Sequence, residues 1–253
     1  MDNILKEIAS MPGHSGFYYK NMISGDTMVF NEQDHFIPAS VIKLPILMEI
    51  YRLSALGKIN LDTKLLIKDE DKMPSCGALN AFTGEVLADI RTLCNLMITI
   101  SDNTATNVLI TYLGTETLNE GFAAMGLTDT RVNRKLFDLE ASKKGIQNVI
   151  TPAEIGMLLE KLYTDEFISQ PVSQEIKEIL FRQQIKHKIK EMLPIGTKVA
   201  SKTGDDDNIS NDVGIVYAKQ PFVVCFISNK TVPSIFNPFI RKTSLELFNR
   251  CNI

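Results

Sequence analysis

Metal-ligating residues are scarce in this chain. Three His (His14, His35, His187) and four Cys (Cys76, Cys94, Cys225, Cys251) are scattered through 253 residues, none at C-x-x-C or His/Cys ligand spacing. No metal site and no cofactor is expected. Cys94 and Cys225 lie in apolar runs and read as buried thiols. An excess of one charge is also lacking. The net charge is −3 and the pI about 5.7, which argues against a general nucleic-acid or anionic-membrane surface. The one basic cluster, Lys186-His187-Lys188 with Lys190, reads as a solvated face or loop. No run of about 18 apolar residues exists to make a membrane span. Met1-Asp2-Asn3-Ile4 has neither a basic n-region nor an apolar h-region. The chain as it stands reads as cytoplasmic, or as secreted if a leader has been trimmed away. Internal repeats and low-complexity segments are missing too.

What is present is enough apolar material, 44% of residues, for a substantial core in one large domain or two intimate ones. Apolar periodicity predicts helices over 4–11, 40–56, 90–100, 104–113, 116–125, 151–163, 173–182 and 240–251. A strand–turn–strand hairpin is expected over 17–31, and three more strands over 198–202, 213–218 and 222–229. Residues 61–68, 131–149 and 233–237 read as irregular. Strands thus lie at both ends and helices in the middle. The expected fold is α/β (α+β), an antiparallel sheet flanked by terminal helices with an all-α domain inserted. The expected division is residues 1–37 with 193–253 for the α/β part and 38–192 for the α part, with the site between them.

Three short motifs fall at element boundaries. Ser40-Val41-Ile42-Lys43 opens the long apolar helix. Ser40 is a favoured capping residue type, and Lys43, three residues on, shares its face. A serine hydroxyl needs a base to become a nucleophile, and burial can make a lysine neutral enough to serve. Pro45, in the second turn, predicts a tightened or kinked start. Ser101-Asp102-Asn103 follows the buried helix over 90–100, and Lys202-Thr203-Gly204 ends a strand. Taken singly, these read equally well as a helix cap, a helix terminus and a strand end.

In this order, S-x-x-K, S-D-N and K-T-G resemble the class A β-lactamase-like serine hydrolases of the penicillin-recognising superfamily, from about residue 15 onward. The resemblance implies Ser40 as acylated nucleophile, Lys43 as its base or tuning group, and Ser101 in the proton path to the leaving nitrogen. It implies Asn103 holding Lys43 and the substrate amide, with Asp102 structural. Lys202, Thr203 and Gly204 would line the substrate on an edge strand. The oxyanion donors would be the backbone N–H groups of Ser40 and Asp205. The partner implied is a small-molecule β-lactam or related amide or ester, taken by a monomer. A disulfide known in some members is excluded, because Leu47 stands where the partner of Cys94 would be.

The pattern breaks at one place that matters. Aligned from either end of the 131–149 segment, the glutamate that activates the deacylating water falls on Leu136 or Lys135. Glu140 is the expected replacement, with Asp138 second. Asp205-Asp206-Asp207 follows K-T-G and opposes an anionic substrate. Val213 stands where many members have an Arg, a loss that Arg241 or Lys242 is a candidate to offset. Three readings stay open: a β-lactam hydrolase, an acylatable binding or sensor protein with slow deacylation, and a peptidase, amidase or esterase on another acyl donor.

Overall fold

The computed structural model describes residues 2–252. A helix, α1 (Asp2–Ala9), leads into the hairpin β1 (His14–Asn21) and β2 (Thr27–Phe30). The chain then leaves the sheet through a 3-10 turn, Ala39–Ile42, that runs directly into α2 (Lys43–Ala55). Two short strands, β3 (Lys64–Ile67) and β4 (Val86–Asp89), pair antiparallel. Helices α3 (Ile90–Thr99), α4 (Asn103–Leu113), α5 (Thr115–Ala124), α6 (Leu139–Lys143), α7 (Pro152–Tyr163) and α8 (Gln170–Phe181) follow. The chain returns to the sheet as β5 (Val199–Asp206), β6 (Ile209–Val216) and β7 (Phe222–Asn229), then closes with α9 (Pro233–Arg250).

The large sheet has the order β2-β1-β7-β6-β5, antiparallel throughout. β5, which carries Lys202-Thr203-Gly204, is therefore an edge strand. Alternating residues of β7 feed two cores, as period-2 geometry requires. Val224 and Phe226 join Ile4, Phe17, Phe236 and Ile240 in an outer core under α1 and α9. Val223, Cys225 and Ile227 join Leu47, Leu93, Leu109 and Leu158 in an inner, mostly helical core.

Local chemistry explains the helix starts. Asp89, Asp102, Thr151 and Ser169 each accept a backbone N–H of the following helix, and Pro152 occupies a first-turn position of α7. Four expectations are corrected. Residues 131–149 were expected to be irregular but contain α6, capped by Asp138. Residues 61–68 were expected to be irregular but contain β3. α9 begins at Pro233, not at 240, because a proline at the first helical position gives up no bond. Ser40 does not cap its helix: it sits inside the 3-10 turn and makes no side-chain cap bond. The tightened start expected from Pro45 is that turn.

Candidate active site

Ser40 lines a cleft of about 600 Å³, together with Pro38, Cys76, Asn103, Leu136 and Asp205. The backbone before it, at Ala39, has φ +45°, a left-handed conformation that costs a non-glycine residue about 1–3 kcal/mol. Ser101 (φ +58°) and Phe137 (φ +61°) carry the same signature. Of these, Ala39 and Phe137 line the cleft directly.

The lysine beside Ser40 is fully committed. Lys43 is buried, and its Nζ donates to the Ser101 carbonyl at 2.8 Å, Ser101 Oγ at 3.0 Å and Asn103 Oδ1 at 2.8 Å. Burial, then the nearby Lys202 charge, pushes its ammonium well below the ordinary lysine range. Lys202 is buried as well and donates to Ser101 Oγ at 3.1 Å and to the Thr203 carbonyl at 2.7 Å. Burial brings it down to about 7, against the opposing pull of Asp212. One hydroxyl, Ser101 Oγ, therefore bridges two lysines that both lose protons readily. That arrangement can carry a proton between the nucleophile side of the cleft and the far wall.

Asp102 builds the loop that presents Ser101. One oxygen caps α4 through Ala105 N–H at 2.8 Å; the other accepts Ala78 N–H at 2.7 Å and Leu79 N–H at 3.0 Å. Asn103 is held from both ends, its amide on the Pro74 carbonyl at 3.1 Å and its backbone N–H on the Cys76 carbonyl at 3.1 Å. Thr203 Oγ1 accepts Gln183 Nε2 at 3.1 Å. Gly204 lies against the 3-10 turn so closely that a Cβ there would stand 2.8 Å from Pro38 O and 3.1 Å from Ser40 N. Only glycine allows that approach, which brings the Asp205 segment alongside the Ser40 amide.

The structure brings together Ser40, Lys43, Ser101, Asn103, Lys202, Thr203, Gly204 and Asp205. It does not bring Glu140. That side chain is 76% exposed and pairs with Lys143 at 2.9 Å, outside the residues that line the cleft. Leu139 and Ser142, three apart, turn one face of α6 to the cleft, so Glu140 and Lys143 fall on the outer face. Asp138 is spent capping α6, accepting Ala141 N–H at 2.9 Å. Of Leu136 and Lys135, the two residues at the expected carboxylate position, Leu136 lines the cleft, its backbone N–H and carbonyl both clamped by the Asn107 side chain at 2.8 and 2.9 Å.

Neither candidate for the missing Arg reaches the cleft. Arg241 donates to the His187 carbonyl at 2.8 Å, and Lys242 pairs with Glu7 at 3.0 Å. Sequence reasoning missed Lys188. The cluster read as solvated sends this side chain fully inside, with Nζ 2.6 Å from Asp205 Oδ1 and 3.0 Å from the Asn211 carbonyl. The signal available was the Asp205-Asp206-Asp207 run, which called for a counter-charge.

Fold and cluster together define a class, the serine hydrolases that act on amides. The comparisons with known proteins make the assignment. A family model described as "Beta-lactamase enzyme family" matches residues 1–250, and the chain belongs to that family. It is 23% identical to β-lactamase CARB-4 of Pseudomonas aeruginosa, over 90% of this chain and 81% of that protein. It is similar to the solved structure of PBP-A, with TM-score 0.89 and 27% identity over 98% of this chain and 94% of that one. A PBP-A mutant with glutamate in place of a leucine, solved as an acyl-enzyme complex with penicillin G, matches at TM-score 0.88. A β-lactamase from Sphaerobacter thermophilus DSM 20745 matches at TM-score 0.89, with 25% identity over 99% and 96% of the two chains. Among the described residues no helix is long and apolar enough to cross a membrane.

Proposed function

We propose that Ser40 is acylated by β-lactams and related small amides, and that the acyl-enzyme is released slowly. The observation that carries the reading is the composition of the loop wall. Residues 131–149 line the cleft with Arg134, Leu136, Phe137, Leu139, Ser142 and Asn148, and supply no carboxylate. Acylation has what it needs. Lys43, neutral and released from one of its three acceptors, takes the Ser40 proton, Ser101 passes a proton onward to the leaving nitrogen, and the backbone amides of Ser40 and Asp205 receive the oxyanion. Lys202 and Thr203 hold the substrate carboxylate, and Asn103 its amide. Deacylation lacks a base to activate water. The penicillin G adduct of the PBP-A mutant supports β-lactams as acylating agents for this fold.

Fast β-lactam hydrolysis with Glu140 as base remains the competing reading, and it requires α6 to turn its outer face inward. The test is intact mass spectrometry of the protein with penicillin G and with a chromogenic cephalosporin, from seconds to hours. A persistent adduct, absent in Ser40→Ala, is expected. A transient adduct with accumulating product would overturn slow release. No adduct at all would remove β-lactams and leave esters and small amides.

We also propose the division of the chain into 1–37 with 193–253 and 38–192. The outer core supports it, being drawn wholly from 4–28 and 189–251, with Ile189 moving the second boundary a few residues earlier; the inner core takes residues from both parts and marks where they meet.

A further inference from the structure

Three consecutive carboxylates, Asp205, Asp206 and Asp207, line the cleft directly beyond Lys202-Thr203-Gly204. Such a wall repels a substrate that carries its own carboxylate. Yet the three are not treated alike. The Asp205 carboxylate is 47% exposed and sits 2.6 Å from Lys188 Nζ, whose side chain is 0% exposed. Its second oxygen lies 3.9 Å from His187 Nε2. Asp206 accepts the Asp207 backbone N–H at 2.9 Å, and neither has a cationic partner in an ion pair among the described residues.

A fully buried ammonium is costly unless it is paired and fixed. Lys188 is fixed by a second bond, to the Asn211 carbonyl at 3.0 Å. Asn211 in turn donates its side-chain amide to the Pro38 carbonyl at 3.0 Å, two residues before Ser40. The buried end of the pair is thus anchored to the frame of the site, and the half-exposed Asp205 end must follow it.

We propose that Lys188 is a positioning residue that sets substrate charge specificity. By holding and neutralising the Asp205 carboxylate, it removes from the cleft the negative charge nearest the Lys202-Thr203-Gly204 segment and so admits acyl donors bearing a carboxylate. The inference rests on acylation of Ser40 as proposed above and deepens it.

The experiment measures the second-order rate of Ser40 acylation by penicillin G, an anion, and by its neutral methyl ester. It compares wild type with Lys188→Met, Asp205→Asn and the double variant. Lys188→Met should lower the anion-to-ester rate ratio about tenfold, the size expected of one unmasked charge at this range. The double variant should restore the ratio, and Asp205→Asn alone should raise it. Asp205→Asn changes a half-exposed side chain and keeps the test decisive if Lys188→Met does not fold. A ratio unmoved in Asp205→Asn, or both probes slowed equally in Lys188→Met, would overturn the specificity role while leaving acylation intact. Wild type labelled by neither probe would instead overturn the acylation reading, and this inference with it.

Discussion

The protonation of two residues governs the far side of the cleft. Asp212 lies buried on β6, opposite Thr203, and burial pushes its carboxyl from 3.8 to about 6. One oxygen accepts the Ile189 N–H at 2.9 Å and the other has no protein partner. Between 3.8 and about 6 the folded chain holds a proton that the unfolded chain has lost, so this group makes the fold less stable as pH rises through that window. Lys202 behaves oppositely. Between about 7 and 10.5 the unfolded chain holds a proton that the folded chain has lost, so raising pH through that window stabilises the fold. Asp212 is the leading influence that keeps Lys202 charged. Asp212→Asn should therefore shift the alkaline fall in acylation by an anionic penicillin to lower pH, with the neutral ester indifferent. A pH–rate profile for each probe checks this. Gly204→Ala tests geometry at the same scale. With the new methyl 2.8 Å from a carbonyl, β5 must retreat from the Ser40 turn. Acylation should fall about 10²–10³-fold, as when an oxyanion donor is lost, which stopped-flow labelling would measure.

Among the elements, the segment over 131–149 decides the fate of the acyl group. Its clamp on Asn107 fixes Leu136 at the cleft. Leu136→Glu should place a carboxylate where the water must be activated and speed deacylation about 10²-fold or more, read from the decay of the Ser40 adduct by mass spectrometry. An unchanged adduct lifetime would mean that some other feature limits release. The start of α7 was legible in the sequence, because a capping threonine followed by proline announces it chemically; the caps Asp89 and Asp102 were not, since an aspartate looks the same in a loop. The three motifs were legible by their residue types and order. β3 was not, because Leu66 faces solvent and the run Lys64-Leu65-Leu66-Ile67 shows no clean alternation. The outward turn of Glu140 was not legible either. Which face of a five-residue helix meets the cleft depends on packing of distant chain. Lys188 was signalled only indirectly, by the three aspartates: a lysine in a basic cluster looks solvated until the strand it serves is in place.

Seen whole, the molecule hangs two cores on one sheet. Phe226 sits in the outer core, 5.2 Å between ring centroids from Phe17 and 5.9 Å from Phe239. Phe226→Ala should cost about 3–5 kcal/mol and lower the melting temperature by roughly 10 °C. Because β7 feeds the inner core too, helical circular dichroism and Ser40 labelling should be lost together on heating. Separate transitions would show that the cores unfold independently.

The pairing of β1 with β7 has a consequence for biosynthesis. The β1–β2 hairpin finds its neighbour strand only after nearly all of the described chain has emerged. Until then β5 and β6 can pair only with each other, and the sheet that walls the cleft opposite Ser40 is unjoined to the first hairpin. The helical middle must wait, partly formed, for both ends of the sheet. A nascent chain stalled before β7 should thus be blind to fluorescent penicillin, and the first moment of labelling would time the closing of the sheet.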